Sequence, residues 1–115
     1  MFEKIINVFD KKRYRVIEEN DINMEQLEKM LGQGAVLIDV RSPQEYREWH
    51  IKGSVSIPEY MLKIKAKEIL MDKNQIIIVY CSTGSRSKKA RNKLLKLGYG
   101  NVYNLYQGFE NYSTS

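Results

Sequence analysis

A single cysteine stands among the 115 residues, and its neighbours are of the kinds that make a thiol reactive. Cys81 is followed by Ser82, Thr83, Gly84, Ser85, Arg86 and Ser87, which are small or hydroxyl side chains and one cation. A short loop of small residues lets backbone N–H groups converge on one point. A helix that starts in such a loop adds the positive end of its dipole, making an anion-binding nest. A thiol in a nest of this kind ionises easily, because helix N-termini and nearby cations favour the thiolate. Cys81 is therefore the candidate nucleophile. Ser82, Thr83, Gly84, Ser85, Arg86 and Ser87 are the candidate substrate-binding loop, with Arg86 as an anion clamp. The competing reading is a small buried cysteine that only fills space at a strand end; the flanking loop suits ionising a thiol better than filling a core.

Two further places could carry chemistry. Asp39 and Arg41 lie near the end of an apolar run, and open α/β sheets keep their binding crevices at the carboxyl ends of their strands. They are read as an ion pair that organises loops. His50 is the only histidine, so any Cys–His dyad would have to use it.

The elements that position these residues follow from periodicity. Ile76, Ile77, Ile78, Val79 and Tyr80 form a continuous β-branched run, as expected of a strand buried on both faces of a parallel sheet. After the loop, Ala90, Leu94 and Leu97 recur at helical spacing with lysines and Arg91 largely elsewhere, and Gly98 supplies a C-cap. Ala35 to Val40 is a second strand. Ser42-Pro43-Gln44-Glu45 reads as a capping box with serine at N-cap, proline at N1 and glutamate at N3. Asn23 caps an earlier helix through Met24, Leu27, Met30 and Leu31. Val55 to Ile57 is a short strand stopped by Pro58. Glu59 to Met71 is a helix marked by Leu62, Ala66 and Ile69, and Val102 to Leu105 a further strand. Tyr14 to Ile17 reads as a short edge strand, and residues 1–12 as an amphipathic helix or an extension. Strands alternating with helices imply an α/β fold with a mainly parallel sheet and helices on both faces.

The chain length fits one domain spanning residues 1–115. Hydrophobic residues make up 43 %, enough for a packed core. One cysteine forms no internal disulfide, which suits a reducing cytoplasm. The first ten residues make no convincing signal peptide, and no stretch approaches the length of a membrane span. The net charge of +5 comes without a nucleic-acid-binding motif, so it is read as a solvated surface whose field also draws small anions. No nucleic-acid or membrane partner is expected.

Several ordered pieces resemble the rhodanese family of sulfurtransferases, over roughly residues 22–112. Val36-Leu37-Ile38-Asp39-Val40-Arg41 with Glu45 is similar to the family's first signature. The run from His50 to Pro58 is similar to its second, and that from Val79 to Ser87 to its catalytic loop. Leu97-Gly98-Tyr99 and the run from Val102 to Phe109 are similar to its closing segment. Each piece alone is weak; the ordered set is specific. The resemblance implies a single rhodanese-like domain with a five-stranded sheet. It implies transfer of sulfane sulfur from a small anionic donor such as thiosulfate, through a Cys81 persulfide, to an acceptor: a small thiol, a thioredoxin-like protein, or cyanide. It implies no metal and no organic cofactor, and it puts His50 in a structural turn. The chain departs from the family pattern at Gln107-Gly108, at Tyr112, and at Ser82 and Thr83, where thiosulfate-specialised members often carry basic side chains.

Two other functions compete. A persulfide carrier would use the same loop, whereas a non-catalytic interaction module of this family commonly lacks the cysteine or a regular loop, and Cys81 with its full loop argues against that. A cysteine phosphatase or arsenate reductase would need five residues between cysteine and arginine, whereas four separate Cys81 from Arg86.

Overall fold

A computed structural model describes residues 18–106 and 108. Five strands form one sheet: β1 (Asp21–Ile22), β2 (Val36–Asp39), β3 (Val55–Ser56), β4 (Ile77–Tyr80) and β5 (Val102–Leu105). Their spatial order is β1-β5-β4-β2-β3, and every pairing is parallel. The helices are α1 (Met24–Gly32), α2 (Pro43–Glu48), α3 (Leu62–Ile69) and α4 (Ser85–Lys96), with a 3-10 turn at Glu59–Met61 before α3. Among the described residues, no helix is long and apolar enough to cross a membrane.

β4 holds the centre because all four of its side chains are apolar enough to be covered on both faces, and all are buried. Alternate residues then feed two cores. Ile77, Val79 and Cys81 pack with Leu62 and Ala66 of α3 and Ala90 and Leu94 of α4. Ile78 and Tyr80 pack with Leu27 of α1 and with Ile51. Helices thus cover both faces, as the alternation of elements predicts. Each fully buried Leu or Ile contributes about 1.5–3 kcal/mol, so the two layers account for much of the stabilisation.

Local signals set the helix starts. Asn23 and Ser42 both make complete capping boxes, with Gln26 and Glu45 answering from N3, and Pro43 occupies the first turn of α2. Differences arise where tertiary packing overrides local pattern. The helix predicted over Glu59 to Met71 is instead a 3-10 turn followed by α3. Its inward side chain near the end is Leu70 rather than Ile69, which is 41 % exposed. Arg91, read as part of the solvated side of α4, is buried and pairs with Glu18 and Asp21. β1 lacks a clear signal in the sequence, because two residues are too few for a period. The edge strand predicted at Tyr14 to Ile17, the reading of residues 1–12 and the segment after Gly108 lie outside the described residues.

Candidate active site

Cys81 follows the last residue of β4, at the carboxyl edge of the sheet. Its side chain turns toward the α3/α4 layer and is only 1 % exposed. The chain must then reverse within three residues to start α4. Gly84 makes this possible: it is the N-cap of α4 with φ +100°, a left-handed conformation that costs glycine little. Gly84 has no side chain to satisfy the free N–H groups of the first turn. The sulfur takes that place. The N–H of Gly84 donates to Cys81 Sγ at 3.1 Å, and the N–H of Ser87 donates at 3.3 Å. The helix start thus caps itself on the thiol, and the thiol gains two oriented donors. Ser87 Oγ is a third neighbour of the sulfur, at 3.4 Å.

The loop residues divide into two groups. Cys81, Gly84 and Ser87 are buried and form the sulfur pocket. Ser82, Thr83, Ser85 and Arg86 form its outer rim. Ser85 and Arg86 are exposed there, while Ser82 and Thr83 are half-buried. The Arg86 guanidinium reaches 41 residues back along the chain to Glu45, with bonds of 2.8 and 3.0 Å to the two carboxylate oxygens. It also stands 3.4 Å from Ser82 Oγ. Glu45 simultaneously accepts from the N–H of Ser42 as the N3 partner of its capping box. The Arg86 pair, helped by Ser42, lowers the Glu45 carboxyl to about 2. One carboxylate therefore joins the start of α2 to the rim of the cysteine loop.

Gly108 closes the site from the far end of the chain. It adopts φ +72° and lies against the loop backbone, where an added Cβ would stand 2.2 Å from the carbonyl oxygen of Ser82. Only a residue without Cβ allows that approach.

Asp39 and Arg41 make the ion pair expected of them, on the other face of the sheet. Arg41 Nη2 lies 2.7 Å from Asp39 Oδ2, and both side chains are buried. The Tyr80 hydroxyl donates to the same Asp39 oxygen at 2.7 Å and accepts from the N–H of Ile51 at 3.0 Å. Burial, together with the Asp39 bond, pushes the Tyr80 phenol up, so it stays a donor. His50 stacks on the Tyr46 ring at 3.7 Å, and its Nδ1 donates to the carbonyl of Tyr46 at 2.7 Å. That is a structural placement. Trp49, at 42 % exposure, belongs to the rim of the fold rather than its core.

Sequence reasoning missed Asn104 and Asp21. Asn104 lies on β5 in register with Val79 of β4 and Asp21 of β1. Its side chain bonds Ser87 Oγ, and its amide nitrogen reaches Asp21 Oδ1 at 3.2 Å. The signal was present: Asn104 is the one polar side chain able to make several hydrogen bonds in an otherwise apolar strand, and such a residue needs buried partners.

The site thus sets a buried cysteine at the carboxyl end of the central strand of a parallel α/β sheet, with loop amides around its sulfur. The chain matches the Rhodanese-like domain family over residues 23–115, and it belongs to that family. It is 33 % identical over 91 residues to a sulfurtransferase of Allochromatium vinosum, covering 77 % of this chain and 83 % of that protein. It is 35 % identical over 91 residues to the thiosulfate sulfurtransferase GlpE of Pseudomonas syringae, covering 79 % of this chain and 84 % of that one. The structure of reduced Bacillus anthracis CoADR-RHD matches 83 % of this chain with a TM-score of 0.74 and 32 % identity; the match spans 16 % of that longer protein. The chain is a rhodanese-type sulfurtransferase.

Proposed function

We propose that this protein moves sulfane sulfur from a small anionic donor such as thiosulfate to a thiol acceptor through a persulfide on Cys81, within one domain spanning the chain. The Cys81 thiolate attacks the outer sulfur of the donor; a new S–S bond forms, and sulfite leaves with the electron pair of the broken one. An acceptor thiolate then attacks the outer sulfur of the persulfide, and the electron pair of that S–S bond returns to Cys81 Sγ. The acceptor is a small thiol or a thioredoxin-like protein, and the single thiol suits a reducing cytoplasm. Neither metal nor organic cofactor takes part.

The observation that carries this reading is the convergence of the Gly84 and Ser87 N–H groups on Sγ, at 3.1 and 3.3 Å. Oriented donors in a site shut off from water stabilise sulfur anions without reorganising during the reaction. Ser82, Thr83, Ser85 and Arg86 receive the donor at the rim. Arg86 does so by exchanging Glu45 for the donor anion; a half-exposed pair of this kind costs about 1 kcal/mol or less to open. The test is intact mass before and after incubation with thiosulfate. A gain of one sulfur, removed by a reducing thiol and located on the Cys81 peptide, supports the reading. No gain with thiosulfate or any other sulfane donor sinks it.

A further inference from the structure

Ser87 Oγ is fully buried and has one proton for three acceptors: Cys81 Sγ at 3.4 Å, the carbonyl of Gly84 at 3.1 Å, and Asn104 Oδ1. Asn104 is the one side-chain oxygen acceptor among them, and its orientation is fixed. The Asn104 amide nitrogen faces Asp21 Oδ1, a carboxylate oxygen that only accepts, so the amide oxygen must face Ser87. Asp21 cannot turn away, because Arg91 holds it at 3.1 Å and the N–H of Glu18 holds its other oxygen at 2.8 Å. The Ser87 hydroxyl therefore donates to oxygen acceptors, Asn104 Oδ1 and the Gly84 carbonyl, and its lone pairs face an uncharged Cys81 sulfur. A full negative charge on Sγ reverses the preference, since a charged acceptor binds a hydroxyl more strongly than a neutral amide does.

We propose that Asn104 is a positioning residue for sulfur transfer: it holds the Ser87 hydroxyl as a donor that turns to Cys81 Sγ when the sulfur is a thiolate and back to Asn104 when it is a persulfide. This rests on the transfer reading given above. In the thiolate the charge sits on Sγ. In the persulfide it sits on the outer sulfur, and Sγ is neutral. No proton is transferred in either position; only the O–H bond rotates. Competition from Asn104 keeps the hydroxyl from over-stabilising the attacking thiolate. The same hydroxyl is still within reach when Sγ becomes the leaving thiolate in the second half of the cycle.

Single-turnover rates of the full chain test this, with persulfide formation from thiosulfate and persulfide discharge to cyanide measured separately. Asn104→Leu removes the stronger side-chain competitor and leaves the Ser87 proton to be shared between the sulfur and the Gly84 carbonyl. Formation is expected to slow about tenfold while discharge does not slow. In a Ser87→Ala background Asn104→Leu is expected to change neither rate. Equal slowing of both halves, or the same effect of Asn104→Leu with and without the Ser87 hydroxyl, overturns the role. If Asn104→Leu does not fold, Asn104→Ala carries the same expected split and the same overturning outcomes. A natural protein that forms no persulfide at all overturns the transfer reading and this role with it; a natural protein with normal turnover and an unsplit variant overturns this role alone.

Discussion

Tyr80 and Cys81 are consecutive residues at the same sheet edge, and they serve two differently built polar regions. Tyr80 points into the α1 layer. There Asp39, Arg41, Ser54 and the backbone of Ile51 are tied into a buried network in which a charge meets an opposite charge. Cys81 points into the α3/α4 layer, where the sulfur meets two N–H donors and a hydroxyl but no ammonium or guanidinium within hydrogen-bond reach among the described contacts. A fully paired network is rigid and has no free valence to offer a substrate. A sulfur surrounded by dipoles keeps its nucleophilicity and can change partners. The sulfur of the loop thus keeps a freedom to exchange partners that the opposite face lacks.

The contrast is broken most sharply at the sulfur itself. Cys81→Ser is expected to abolish thiosulfate-to-cyanide transfer while leaving the melting curve close to that of the natural protein, since the hydroxyl still accepts from Gly84 and Ser87. Substantial turnover by this variant shows that another group is the nucleophile.

On the locked side the expected loss is in stability rather than chemistry. Asp39→Ala leaves the Arg41 guanidinium buried beside the Tyr80 hydroxyl without its carboxylate, which costs about 3–5 kcal/mol. The midpoint of urea unfolding reads this directly. A shift of less than about 1 kcal/mol would mean that the two faces are not as different as their partners suggest.

The smallest effect is expected where the two regions meet the surface, at Arg86 and Glu45. The carboxyl of Glu45 is lowered from 4.5 to about 2, chiefly by Arg86. A carboxyl lowered on folding stabilises the protein above its ordinary value and loses that contribution as pH falls toward the folded one. Arg86→Ala is expected to move the Glu45 titration up toward 4.5, with the Ser42 N–H still holding it somewhat below, as followed by NMR of its carboxyl carbon. Stability at pH 7 falls by about 1 kcal/mol or less, and the gap between variant and natural protein closes as pH drops from about 4.5 to 2. An unchanged titration would show that the pair does not form in solution.

Much of this was legible along the chain because its causes are local. The β-branched run before Cys81, the small-residue loop and the apolar period of α4 lie within about two dozen residues. Each reads as strand, nest or helix without knowledge of the rest. The capping boxes at Asn23 and Ser42 are equally local, with partners three residues apart. Tertiary structure alone decided which distant polar groups meet. Sheet order puts β5 between β4 and β1, and only that order brings Asn104 to Ser87 on one side and Asp21 on the other. The same holds for Glu45 against Arg86 and for Asp39 against Tyr80, each 41 residues apart. Arg91 looked solvated because helical period marks a face but cannot say that two carboxylates some 70 residues away in the chain cover it. Local sequence determines which conformations a segment prefers; a buried polar side chain is stable only when its partner arrives, and strand register controls that arrival.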